Sequence, residues 1–195
     1  DPNAATTAVT GLAVGVNTFR YTVSNGPCDN GLTEDLVSIF VFDANNPVAD
    51  AGPDDEQCTP NTITTLTGSS VIFPATGTWT LVSGQGTINS PNASITTVTD
   101  LGVGENIFEW TVSNGPCANG ITTDQVTILI FDQGNNAANA GPDRQLCTPA
   151  SATQLEGSPV TFPAVGTWTL VSGSGTLVDA NDPNTLVLNP GVGEN

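Results

Sequence analysis

The 195-residue chain contains no histidine, no methionine and no lysine. Its only cationic side chains are Arg20 and Arg144, set against 19 carboxylates, for a net charge of −17. Each absence removes a class of chemistry. Without histidine, the Ser-His-Asp and Cys-His catalytic arrangements are unavailable, as is the commonest zinc ligand. Without lysine there is no Schiff base and no Walker-type phosphate site. The Lys–Asn isopeptide bonds that staple some bacterial sandwich domains are excluded for the same reason. So few cations leave almost nothing to neutralise phosphate, so nucleic acid and anionic lipid are not expected partners. No apolar run approaches the ~18 residues of a membrane-spanning helix; the stretch from Ile39 to Phe42 is among the most apolar. This segment is not expected to insert in a membrane, and no signal peptide or sorting signal is visible in it.

What is present is a repeat. AGPDDEQCTP begins at Ala51 and AGPDRQLCTP at Ala140, an offset of 140 − 51 = 89. Trp79 and Trp168 share that offset, as do Cys28 and Cys117, and Gly15, Gly104 and Gly193. Residues 48–106 match 137–195 at 34 of 59 positions, and residues 1–47 match 90–136 at 27 of 47. The window holds two periods and a remainder, 195 = 2 × 89 + 17, and GVGEN at 191–195 repeats the start of GVGENIFEWTVSNGPC. We therefore expect a window from a longer tandem array. It divides into the C-terminal part of one unit (1–46), a complete unit (47–135) and the N-terminal part of the next (136–195).

Within a unit, strand patterns dominate. Phe108–Ser113 and Phe19–Ser24 alternate apolar and polar, as half-buried strands do. Val126–Phe131 and Val37–Phe42 are more continuously apolar and read as strands covered on both sides. Thr78–Ser83 is a third strand and Ile95–Thr99 a weaker fourth, with Gly-, Pro- and Asn-rich breaks between them. No stretch of ten or more residues has helical periodicity. Short strands with frequent turn signals over about 90 residues predict an all-β, immunoglobulin-like β-sandwich, with units arranged end to end. A β-solenoid is the second reading, but its rungs would need a shorter period. Trp79, Trp110, Trp168 and Tyr21 are expected as core anchors. SGQG and SGSG lack the strand-to-helix setting of a phosphate loop and read as hairpin turns.

Paired carboxylates would still suit a glycosidase. The copies argue otherwise: Glu109 stands where Arg20 does, Asp55 where Arg144 does, and Glu105 where Val16 does. Positions that accept charge reversal face solvent. The reading is a non-catalytic chain.

Two features invite chemistry. Each unit carries two cysteines, which suggests a disulfide. Cys58–Cys117 within the complete unit is placed first, although in an ordinary sandwich the two loops lie at opposite ends. The alternatives are Cys28–Cys58 and Cys117–Cys147 across the junctions, or partners beyond these residues. The acidic connections place Asp43, Asp50 and Asp54 near one boundary and Asp132 and Asp143 near the next. Oxygen-only clusters suit Ca²⁺, which would stiffen a joint; the alternative is a solvated acidic surface, with no cofactor. Asp54 and Asp143 also read as turn-forming residues bonded to nearby backbone.

The run AGPD–x₃–C, GTWTLVSGxGT, VGxNxFxWTVSNGPC and a Val/Ile/Phe-rich last strand resembles the PKD-like or immunoglobulin-like tandem repeats of very large Bacteroidota surface proteins. These include gliding-motility adhesins exported by the type IX secretion system. The resemblance covers all 195 residues. It implies an extracellular, surface-attached or secreted location. The function it implies is a structural one: the extended stalk or filament of an adhesin serving attachment or gliding, at roughly 35–45 Å per unit. Neighbouring repeats are the implied partners, with surface glycans or host and substratum surfaces beyond them. Glycan- or protein-binding modules acting by avidity, and a spacer in a secreted enzyme, are the alternative functions. The Asp/Gly-rich loop common in PKD domains is replaced here by GSSVIFPATG, so no metal role of that loop carries over.

Overall fold

The computed structural model describes residues 3–193 except 5, 30, 148 and 150. The chain is all-β: twelve strands and, among the described residues, no helix. The first two, β1 (Gly15–Ser24) and β2 (Leu32–Val41), form an antiparallel hairpin that stands as its own sheet. The complete unit follows with β3 (Asp55–Cys58), β4 (Thr64–Thr67), β5 (Thr76–Ser83), β6 (Thr87–Ile88), β7 (Ile95–Thr99), β8 (Gly104–Ser113) and β9 (Ile121–Phe131). These make a four-stranded sheet in the order β3-β9-β8-β5 and a three-stranded sheet in the order β4-β7-β6. The sheets close a sandwich of the immunoglobulin-like kind. The edge strand β3 lies parallel to the last strand β9, with Cys58 opposite Phe131.

The core sits between the sheets. Trp79, Phe108, Trp110, Val112, Val126, Ile128 and Ile130 come from the larger sheet, and Leu66 and Val98 from the smaller. Trp79 and Trp110 are register partners whose ring centroids lie 5.0 Å apart. Each indole N–H has an acceptor: Trp79 donates to the Ser94 carbonyl at 3.2 Å and Trp110 to Ser69 Oγ at 3.2 Å. Two of the four expected anchors are thus inside, with polar ends satisfied. Room for Trp110 comes from Gly77, where a Cβ would lie 2.2 Å from the indole ring.

Three sequence expectations change. First, β9 buries Val126, Ile128 and Ile130 but leaves Thr127, Leu129 and Phe131 half-buried, so it alternates instead of being covered on both sides. Second, SGQG is not a hairpin turn: it carries the chain from β5 in one sheet to β6 in the other. Gly86 passes so close to Phe108 and Val98 that a Cβ there would be 2.8 and 2.9 Å from them. Third, Tyr21 is 53% exposed: among the described residues of 1–46 only β1 and β2 form, and the counterparts of the strands that cover Trp110 are not among them.

The third unit shows the same physics. Its smaller sheet forms from β10 (Ala152–Gln154), β11 (Thr176–Leu177) and β12 (Leu186–Leu188), in the order β10-β12-β11 that mirrors β4-β7-β6. Residues 167–172 read TWTLVS, identical to 78–83 in β5, yet form no strand. β5 pairs with β8, and the counterpart of β8 would begin at 104 + 89 = 193. Trp168 is accordingly only half-buried and lines a groove of about 450 Å³ with Gly157, Gly166 and Val165.

Candidate functional site: the junction between repeats

A set of specific side-chain contacts outside the core lies where one unit meets the next. Val41 ends β2, and the ring of Phe42 follows it onto the Asn114–Gly120 loop of the complete unit. A Cβ on Gly115 would lie 2.6 Å from that ring, and Gly115 has φ +57°, so glycine is required there twice over. Asn114, fully buried, donates from Nδ2 to the Asp43 carbonyl at 2.9 Å and to Asn119 Oδ1 at 3.2 Å. Asn119 donates to the Asn46 carbonyl at 3.2 Å. Asn46, 3% exposed, accepts from the Ile72 N–H at 2.7 Å. Within the complete unit, Ser69 holds the segment that leaves the joint, donating to the Val48 carbonyl at 2.9 Å and accepting from the Asp50 N–H at 3.2 Å.

The next junction repeats this fastening. Asn135 Oδ1 accepts from the Thr161 N–H at 2.6 Å, and Ser158 Oγ donates to the Ala137 carbonyl at 3.1 Å. Asn46 and Asn135, and Ser69 and Ser158, are 89 apart. Sequence reasoning placed Ser69 in a break and Asn135 in the acidic connection, and singled out none of these residues as a fastening. The signal was available in their identity between copies, but short polar residues in a turn-rich segment carry no spacing that separates a joint from a loop.

The carboxylates act as local acceptors. Asp43 Oδ1 takes the Asn45 N–H at 2.8 Å, Asp50 Oδ1 the Gly52 N–H at 2.9 Å, and Asp132 Oδ1 the Gly134 N–H at 2.8 Å. Asp54 does not bond its own turn; it reaches the Thr127 N–H on β9 at 2.8 Å, which ties the AGPD segment to the larger sheet. Asp143 is exposed. Among the described residues, no three carboxylates or cysteines come together as a metal-ligand set. A hollow of about 210 Å³ between β3 and β4 is lined by Asp54, Asp55 and Thr64–Thr67, smaller than the roughly 300–1,000 Å³ of ordinary ligand pockets.

The four cysteines are free, and Cys28, Cys58 and Cys147 are exposed. The pairing Cys58–Cys117 is corrected by the register. Cys58 lies beside Phe131 at one end of β9, whereas Cys117 lies in the loop before Ile121 at the other. Ten residues of strand separate the ends by about 33 Å, against the ~7 Å limit between the Cα atoms of a disulfide. Cys28–Cys58 and Cys117–Cys147 fare worse, since each would span two units.

No family model matches the chain, and no curated protein matches it. Among solved structures, the chain is similar to the PKD domain of the KIAA 1837 protein at 30% identity and a TM-score of 0.39, covering 47% of this chain and 92% of that one. The PKD domain of human KIAA0319 aligns at 21% identity and a TM-score of 0.37, covering 50% of this chain and 88% of that one. The human desmocollin-1 ectodomain aligns at 10% identity and a TM-score of 0.35, covering 92% of this chain and 39% of that one.

Proposed function

We propose that these units form an extended, load-transmitting segment of an extracellular surface protein, a stalk or filament of an adhesin, with no catalytic role of its own. The observation that carries this reading is the fastened junction. A string of independent binders needs only a tether, whereas here Phe42, Asp43 and Asn46 are each held by a side chain or backbone group of the following unit. Such a joint converts chain into reach. The finer reading, a bacterial surface adhesin for attachment or gliding, rests on the sequence resemblance. The partners proposed are neighbouring repeats along the chain and, at its tip, a glycan or substratum surface.

Small-angle scattering on chains of two, three and four units tests the stalk. Length is expected to rise linearly with unit number; growth as the square root would end this reading. Asn114→Ala removes the brace on Asp43 and is expected to shorten the mean length of every multi-unit chain while leaving the Trp79–Trp110 core folded. An unchanged scattering profile would show that the brace does not set the angle. The same series with Ca²⁺ and then a chelator reads any cation at the acidic connections.

A further inference from the structure

We infer that the repeat is built for a disulfide across each junction, joining the Cys58 position of one unit to the Cys117 position of the unit that follows it. Three observations meet here. In the complete unit, Cys58 is the register partner of Phe131, one strand spacing away, about 4.8 Å. The counterpart of Phe131 is Phe42, 131 − 89 = 42. Phe42 lies against Gly115 of the following unit, two residues from Cys117. Superposing one unit on the next therefore brings the two cysteine positions to the same junction, on either side of one phenylalanine.

The same two segments hold unpaired acceptors. The buried side-chain acceptors without a donor among the described residues are Gln57 Oε1 and Asn114 Oδ1. Gln57 precedes Cys58, and Asn114 opens the loop that holds Cys117. Asn114 sits at the joint with Phe42 and Asp43, whereas Gln57 pairs with the core residue Ile130 and donates to Asp55.

The bond forms from two thiols with loss of two protons and two electrons. The electrons pass to an external disulfide of low molecular mass, such as oxidised glutathione, which is reduced to two thiols. The bond is independent of the stalk reading: it rests on where the strands end, and scattering and peptide mapping fail separately.

The test supplies the missing half from the chain's own repeat. One chain carries a second copy of 107–135 after residue 195, completing the third unit. Another carries a copy of 47–89 before residue 1, completing the first. After treatment with oxidised glutathione, non-reducing peptide mapping is expected to join Cys58 to the added copy of Cys117 in the first chain. In the second it is expected to join Cys117 to the added copy of Cys58. Those thiols should be lost to a thiol reagent while Cys28 and Cys147 still react. A blue shift of Trp168 emission reports that the third unit has closed. Cys58 remaining reactive beside a closed third unit overturns the inference, as does a bond from Cys58 to the original Cys117. Failure of both added copies to dock would remove the junction itself and overturn it equally.

Discussion

Gly77→Ala is expected to destabilise the complete unit by about 2–3 kcal/mol, the upper part of the range for overpacking a closed core. The added methyl would lie 2.2 Å from two atoms of the Trp110 ring. Neither partner has room to yield: Trp110 is 0% exposed, Trp79 packs on it at 5.0 Å, and Ser69 holds its N–H. Gly77 also lies in the β5–β8 ladder opposite Val112, so moving the backbone would break strand pairing. For a domain of this size the midpoint of thermal unfolding should fall by roughly 10–20 °C. Trp110→Ala alone is expected to cost about 3–5 kcal/mol by cavity formation. The double variant discriminates the cause. If the methyl acts only through the ring, Gly77→Ala adds little once Trp110 is alanine, and the two effects are far from additive. Calorimetry on the four chains measures this. Full additivity would mean that Gly77 is needed for its backbone and not for the space it leaves.

The parts of this fold that were legible in the sequence are those whose pattern is local. Phe108-Glu-Trp-Thr-Val-Ser alternates, and it forms β8 with Phe108, Trp110 and Val112 inside. The 89-residue period was equally plain, because identity between copies does not depend on structure. Three things were not legible. TWTLVS at 78–83 and at 167–172 is the same string in two states, since a strand exists only where a partner completes its ladder. Cys58 and Cys117 lie at opposite ends, as an ordinary sandwich implies, but which cysteine meets which does not follow from spacing. Asn114 and Ser69 fell in segments read as breaks, and Asn46 was not singled out, because a short polar residue looks the same in a turn and in a joint. One device was readable after the fact. Gly11, Asp100 and Asn189 are 89 apart and all have positive φ, at 72°, 60° and 51°. Position-by-position comparison of the copies would have found a site restricted to residues that tolerate that conformation.

The largest expected effect concerns association. The hairpin of β1 and β2 presents on one face the residues that fill the sandwich in the complete unit. Tyr21, Val23 and Val37 stand where Trp110, Val112 and Val126 do, and they are 53%, 44% and 57% exposed. At the other end, the groove beside Trp168 corresponds to the seat that Trp110 occupies against Gly68 and Gly77; Gly166 is open there, while the Trp168 ring rests on Gly157 and would have to move aside. Filler and seat are complementary by construction of the repeat, yet the intact middle unit holds them about 35 Å apart. The hairpin of one molecule should therefore close the third unit of another, giving head-to-tail chains that lengthen with concentration, an open heterologous assembly. Burial of Tyr21, Val23 and Val37, each contributing about 1.5–3 kcal/mol, acts against an association cost of about 4–15 kcal/mol, and pairing along the open strand edges adds to the favourable side. Sedimentation velocity across a concentration series should show a ladder of species, with Trp168 emission moving to the blue as it grows. Tyr21→Glu places a charge in the seat and is expected to leave monomers with red-shifted Trp168 at every concentration. If the unsubstituted chain stays monomeric to about 100 µM, the exposed face of the hairpin does not match the groove, and the equivalence of the three units as one core would have to be abandoned.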